Sequence, residues 1–259
     1  MTNWALRFLT CFAATPYLLF IPIPEMIIEP IPRTTSPNEL DPEVEGLPDY
    51  AVSNASHSRP PQYSLHTRPS HALVYTFTDW ASDSMLLMPP RPSPSPSSSR
   101  LTIPQPVYHI SVSLNLNPFL PISYTTTIRH GGDAQGPFVG SFEMSLSQMR
   151  AIVTIGDITT RLSRILSSVN GSLRHWTWNC GNVHLRWDCR NVLDDGSPMC
   201  ICYAHDSVST QLASFVPPPI NASPPLPAAT LTVFPEGHDC FDHILISALI
   251  VERKRTLDY

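Results

Sequence analysis

From Ala72 onward, apolar and polar residues alternate with a period of two through most of this chain, as expected of strands with one buried face. "ALVYTFTDW" (72–80) and "SMLLM" (84–88) are the first such segments. In "VYHISVSLN" (107–115), Tyr108, Ile110, Val112 and Leu114 alternate with His109, Ser111 and Ser113. "SYTTTIRH" (123–130) and "PFVGSFEM" (137–144) flank the glycine turn "GGDAQG" and predict a hairpin. "AIVTIGD", "LRHWTWN", "NVHLRWD", "MCICYAHD", "QLASFV" and "TLTVF" continue the series to Phe234. "ITTRLSRILSSVNG" (158–171) fits a short helix or another strand pair, and periodicity leaves both open. Short strands at this spacing predict a mainly β domain, a sandwich or a barrel.

The pattern breaks in "FDHILISALIVERKR" (241–255), where residues 244–251 are apolar at every position except Ser247. A surface helix would carry a single apolar stripe, so this run is expected to be enclosed on every side. It is too short for a bilayer, which needs roughly 20 residues. Asp239 or Asp242 suits a helix amino cap, and Arg253, Lys254 and Arg255 suit the carboxyl end of a helix dipole. The isoleucines and Val251 also permit a buried strand. The expectation is a closed or nearly closed β-barrel wrapped around a rod whose core is Ile244, Leu245, Ile246, Ala248, Leu249 and Ile250. The charges that follow would mark where the rod leaves the sheet.

Residues 1–69 read differently. "FLTCFAATPYLLFIPIP" (8–24) is uncharged, but Pro16, Pro22 and Pro24 interrupt any helix. A secretion signal, a membrane anchor and an apolar non-spanning tail stay open for it. From Ile21 to Pro69 the chain is Pro, Ser, Glu and Asp with few periodic apolars, a composition that predicts disorder. The ordered domain is expected over 70–259, with proline-rich loops at 89–106 and 216–229. Ser93-Pro94 and Ser95-Pro96 in the first loop fit proline-directed kinases.

Composition narrows the function classes. With 16 basic against 21 acidic residues and Lys254 as the sole lysine, the chain offers little summed charge for nucleic-acid phosphates. Six cysteines in a chain of this length do not make a small secreted disulfide framework, so reduced thiols are expected. Asn54, Asn170 and Asn221 begin glycosylation sequons that matter only after secretion. The expected location is cytoplasmic or membrane-peripheral.

Several stretches together resemble the fungal DUF6593 family, whose domain is similar to the tubby C-terminal, scramblase and LURP-one-like fold. They are "YTFTDW", "YHISVSLNLNPFLPISYTTTIRH", "VGSFEM", "VTIGD", "WTW", "LRWD", "LASF", "LTVFPEG" and "DHILISALIVERKR". The resemblance covers roughly residues 70–259, and "NPFLPISYTTTIR" and "ALIVERKR" are its most specific parts. It implies a β-barrel around a carboxyl-terminal helix, and so favours helix over strand for the last segment. It implies no catalytic residues. Tubby proteins bind phosphoinositides through basic surface residues, and no cluster legible in this sequence maps onto them.

The strongest functional signal is Pro60-Pro61-Gln62-Tyr63, a PPxY peptide, with the related Leu47-Pro48-Asp49-Tyr50 upstream. Such peptides adopt polyproline II at little entropic cost and dock on WW domains. Composition alone gives roughly 0.1 expected PPxY matches, and two copies would add avidity for tandem domains. The chain is therefore expected to be a non-enzymatic adaptor for a WW-domain partner such as a ubiquitin ligase. The alternative is a peripheral lipid- or phosphoinositide-binding protein. Cys200-x-Cys202-x-x-His205, with Cys180, His184 and Cys189, lacks zinc-knuckle spacing, so no metal or cofactor is expected. "HGGDAQG" (130–136) has no GxSxG partner and reads as a hairpin turn. Trp176 and Trp178 share a strand face and, with Trp187, are expected in the core rather than in a lipid-facing belt.

Overall fold

A computed structural model of the chain describes residues 68–91, 104–145, 150–205, 210–219 and 225–257. Of the tail expected over 1–69, residues 1–67 with both tyrosine peptides lie outside the described residues, as does most of the first proline-rich loop.

The first seven strands are β1 Leu73–Phe77, β2 Ser84–Met88, β3 Tyr108–Asn115, β4 Ser123–His130, β5 Phe138–Ser145, β6 Ala151–Ile155 and β7 Ile158–Arg161. The other six are β8 Leu166–Ser168, β9 His175–Cys180, β10 Val183–Val192, β11 Pro198–Ala204, β12 Gln211–Val216 and β13 Thr230–Val233. They form one antiparallel sheet in the order β7-β6-β5-β4-β3-β2-β1-β13-β12-β11-β10-β9-β8. Two meanders are thus joined where the first strand pairs with the last, Leu73 opposite Val233. The alternation places its apolar set on one face: Tyr108, Ile110, Val112, Ile128, Phe142, Trp178 and Trp187 are all buried.

A fully closed barrel is not what forms. The edge strands β7 and β8 are consecutive in the chain, and no ladder joins them. Between them Leu162–Ile165 makes a single helical turn, α1, so "ITTRLSRILSSVNG" holds a short helix and two strands that do not pair with each other. The turn uses up the residues that would have paired the edges, and its Leu162 and Ile165 are buried there instead. The two arms still approach: a Cβ placed on Gly181, in the β9–β10 turn, would lie 4.0 Å from Ile158 Cδ1 of β7.

The last segment is helix α2, Phe241–Leu257. Every residue from Ile244 to Val251 is at most 4% exposed. Its side chains meet strands of both arms. The Tyr108 hydroxyl of β3 donates to Asp242 at 2.6 Å, and Trp187 Nε1 of β10 donates to Ser247 Oγ at 2.9 Å. Cβ on Gly140 of β5 would come within 2.7 Å of Ile246 Cδ1, so only glycine lets the strand lie this close to the helix. One helix about 10 Å across can reach β3, β5 and β10 together only if the sheet curls round it. Ser247, the polar exception in the run, also donates to the His243 carbonyl at 2.6 Å, so its buried hydroxyl is satisfied.

The charges after the apolar run are not exit markers. Glu252, Arg253 and Arg255 are buried. Glu252 and Arg255 pair across one helical turn at 2.8 Å, and the Arg253 guanidinium lies 5.6 Å from the centre of the Tyr124 ring. Mutual neutralisation and an aromatic face make that burial tolerable. Only Lys254 of this group is partly exposed.

Candidate functional site

The strand register brings several scattered residues to one end of the sheet. Asn115 pairs with Ser123, Ser123 with Ser145, Met144 with Ala151, and Ile152 with Arg161. The β3–β4 loop, the start of β6 and the end of β7 therefore share an edge of the fold. Helix α2 ends there too, since Arg253 lies over Tyr124 at the start of β4.

A cleft of about 640 Å³ opens at this end, where the sheet stays unclosed. Arg150, Arg161 and Lys254 supply its charge, Ser163 a hydroxyl, and Ala151, Ile152, Leu162 and Leu166 an apolar wall. No carboxylate is among these lining residues. Converging cations over an apolar wall suit an anionic group carried on a hydrophobic body.

Beside the cleft, the β3–β4 loop Leu116–Ile122 points its apolar side chains outward. Phe119 is 91% exposed, Leu116 71% and Ile122 54%. The loop is nonetheless built. Asn115 Oδ1 accepts from the Asn117 amide at 3.0 Å, and Asn117 Oδ1 accepts from the Phe119 amide at 3.0 Å. Pro118 and Pro121 fix further backbone torsions. Glu143 of β5 ties the loop to the cleft: its carboxylate accepts from Ser123 Oγ at 2.5 Å and Asn115 Nδ2 at 3.1 Å. It also pairs with Arg150 at 3.7 Å. With roughly 4.8 Å between strands, three spacings separate β4 from β7, so the Phe119 loop and Arg161 lie at the same end of the sheet.

The other predicted positions separate from this site. Trp176, Trp178 and Trp187 are core residues, each at most 3% exposed. Trp178 Nε1 donates to His243 Nδ1, and burial pushes the His243 imidazole below its ordinary pKa, keeping it neutral. Cys180, Cys189, Cys200 and Cys202 are buried free thiols. Burial also raises Cys180, Cys189 and Cys202 above the ordinary thiol range, away from the thiolate a nucleophile needs. His184 and His205 lie outside on the surface. Among the described residues no group of three or more His, Cys, Asp or Glu is placed to hold a metal. The glycine turn after His130 caps the β4–β5 hairpin, at the opposite end from the cleft. No helix of the described residues is long and apolar enough to cross a membrane.

Reasoning from sequence missed the cleft because its cations come from three distant places in the chain, none with a basic neighbour cluster except Lys254. The available signal was indirect: in a β6–β7 hairpin, the residue before β6 and the last residue of β7 must return to the same end.

Fold and site together define a mainly antiparallel β protein built on a buried carboxyl-terminal helix, with a basic cleft at the unclosed edge. The chain belongs to the DUF6593 family of unknown function, which it matches over residues 93–257. No curated protein and no solved structure gives a significant match.

Proposed function

We propose that this chain is a non-enzymatic peripheral membrane protein. In this reading the sheet is a nearly closed barrel of tubby-like plan, and the end carrying the cleft faces an anionic lipid surface. The observation that carries the proposal is the pairing of Arg150, Arg161 and Lys254 with the exposed Phe119 loop at one end of the fold. Magnitudes show why both halves are needed. Arg150 is offset by Glu143, so Arg161 and Lys254 near an anionic surface contribute roughly 2 kcal/mol, less than the roughly 4.1 kcal/mol of millimolar binding. Inserting Phe119 adds about 1.5–3 kcal/mol, with more from Leu116 and Ile122. Flotation of the full chain with vesicles tests this. Binding should require anionic lipid and should fall with Arg161→Glu/Lys254→Glu, and separately with Phe119→Ser. Equal flotation on neutral vesicles, or binding indifferent to both changes, would remove the proposal.

A second reading rests on a different observation, the PPxY and LPxY peptides at Pro60, Pro61, Tyr63 and Leu47, Pro48, Tyr50. They would let the tail engage a WW-domain protein, such as a ubiquitin ligase, while the folded unit holds the membrane. Pull-down on tandem WW domains should be lost in Tyr50→Ala/Tyr63→Ala. Undiminished capture would discard that role.

A further inference from the structure

We propose that His184 and His205 form a two-imidazole site for a divalent cation of the copper or zinc class. It lies on the outer face of the sheet. His184 is the second residue of β10, and His205 directly follows β11; the His205 amide donates to the His184 carbonyl at 3.2 Å, so the two are lateral neighbours. Both side chains are exposed. Their ring centroids are 6.2 Å apart, tilted by 49°. Two imidazoles bound to one ion at 2.0–2.1 Å have centroids roughly 4.5–6.5 Å apart, so small side-chain rotations complete the geometry.

A third residue prepares the site. On β9, Asn179 is the register partner of His184, and its Oδ1 lies 3.0 Å from His184 Nδ1. An amide oxygen only accepts, so in the tautomer that makes this bond Nδ1 is the donor and Nε2 is the ring nitrogen left for a metal. This is the outer hydrogen bond that metal-bound histidines commonly make. Water would fill the remaining positions, and imidazole donors select copper or zinc over magnesium or calcium. Arg186, next along that face of β10, lies 5.0 Å from the centre of the Tyr203 ring. Its charge opposes the cation and sets the site at modest affinity.

The test is titration of the tag-free full chain with CuCl₂, followed by calorimetry and by the Cu(II) electron paramagnetic resonance spectrum, then with ZnCl₂ by calorimetry. One equivalent should bind with two equatorial nitrogens. His184→Asn and His205→Asn should each weaken it at least roughly tenfold, and Asn179→Ala by roughly ten- to a hundredfold. His130→Asn, at an exposed histidine elsewhere, should leave it unchanged. These changes are on the surface, so melting temperature should hold throughout. Unaltered copper affinity in both His184→Asn and His205→Asn, or an equal loss in His130→Asn, would overturn the assignment.

Discussion

Glu252 is a carboxylate in the core of the fold, and its titration should be visible in stability. Burial pushes its pKa up to about 7 from the ordinary 4.5, with Arg255 opposing the rise. The folded state thus holds this proton more tightly than the unfolded chain does. Stability from this group is full below about pH 4.5 and is lost as the pH climbs to about 7. Glu252→Gln cannot ionise, so its urea midpoint should vary less between pH 4.5 and 7.5 than that of the parent; parallel profiles would refute the assignment. Ser247 poses a simpler case. Ser247→Ala strands the buried Trp187 N–H, which should cost roughly 1–3 kcal/mol in chemical denaturation. Neither partner was legible in the sequence. Ser247 stood out as polar in an apolar run, but nothing local pointed to Trp187, because the two meet only through the curl of the sheet.

At the scale of elements, alternation located strands closely where one face is buried, as in "SYTTTIRH", while "QLASFV" was found by its apolar run, since Leu212 to Phe215 are all buried. The closing helix was legible as an enclosed run for the opposite reason, the absence of any stripe. What alternation could not reveal was closure, since pairing of β7 with β8 depends on the geometry of α1 rather than on the pattern of either strand. The charged end of the helix also misled: three basic residues at a helix terminus suit solvent, yet Arg253 and Arg255 found Tyr124 and Glu252 inside. Close contact between sheet and helix gives a direct check. A Cβ at Gly140 would come within 2.7 Å of both Ile246 Cδ1 and the Thr154 carbonyl oxygen. Gly140→Ala should therefore destabilise by roughly 1–3 kcal/mol, read from the thermal or urea midpoint. Gly156→Ala makes a poor control, because its φ of +54° strains any side chain whatever the space.

For the molecule as a whole, the net charge of −5 hides a local excess of the opposite sign. Arg150, Arg161 and Lys254 gather at the open edge beside an apolar loop that Asn115, Asn117 and Glu143 hold in place. Ionic strength should separate the two parts of binding. Salt screens the cations over a Debye length of about 8 Å at physiological strength, while insertion of Phe119 is not screened, so vesicle binding should weaken with salt but persist longer in the parent than in Phe119→Ser. The most direct measurement is hydrogen–deuterium exchange of the full chain with and without anionic vesicles. Protection is expected in peptides covering Leu116–Ile122 and Arg150–Arg161, with the β4–β5 turn at Gly131–Gly136 unchanged. Protection at that turn, with the cleft and the Phe119 loop exchanging as in free protein, would contradict the membrane-facing end proposed for this fold.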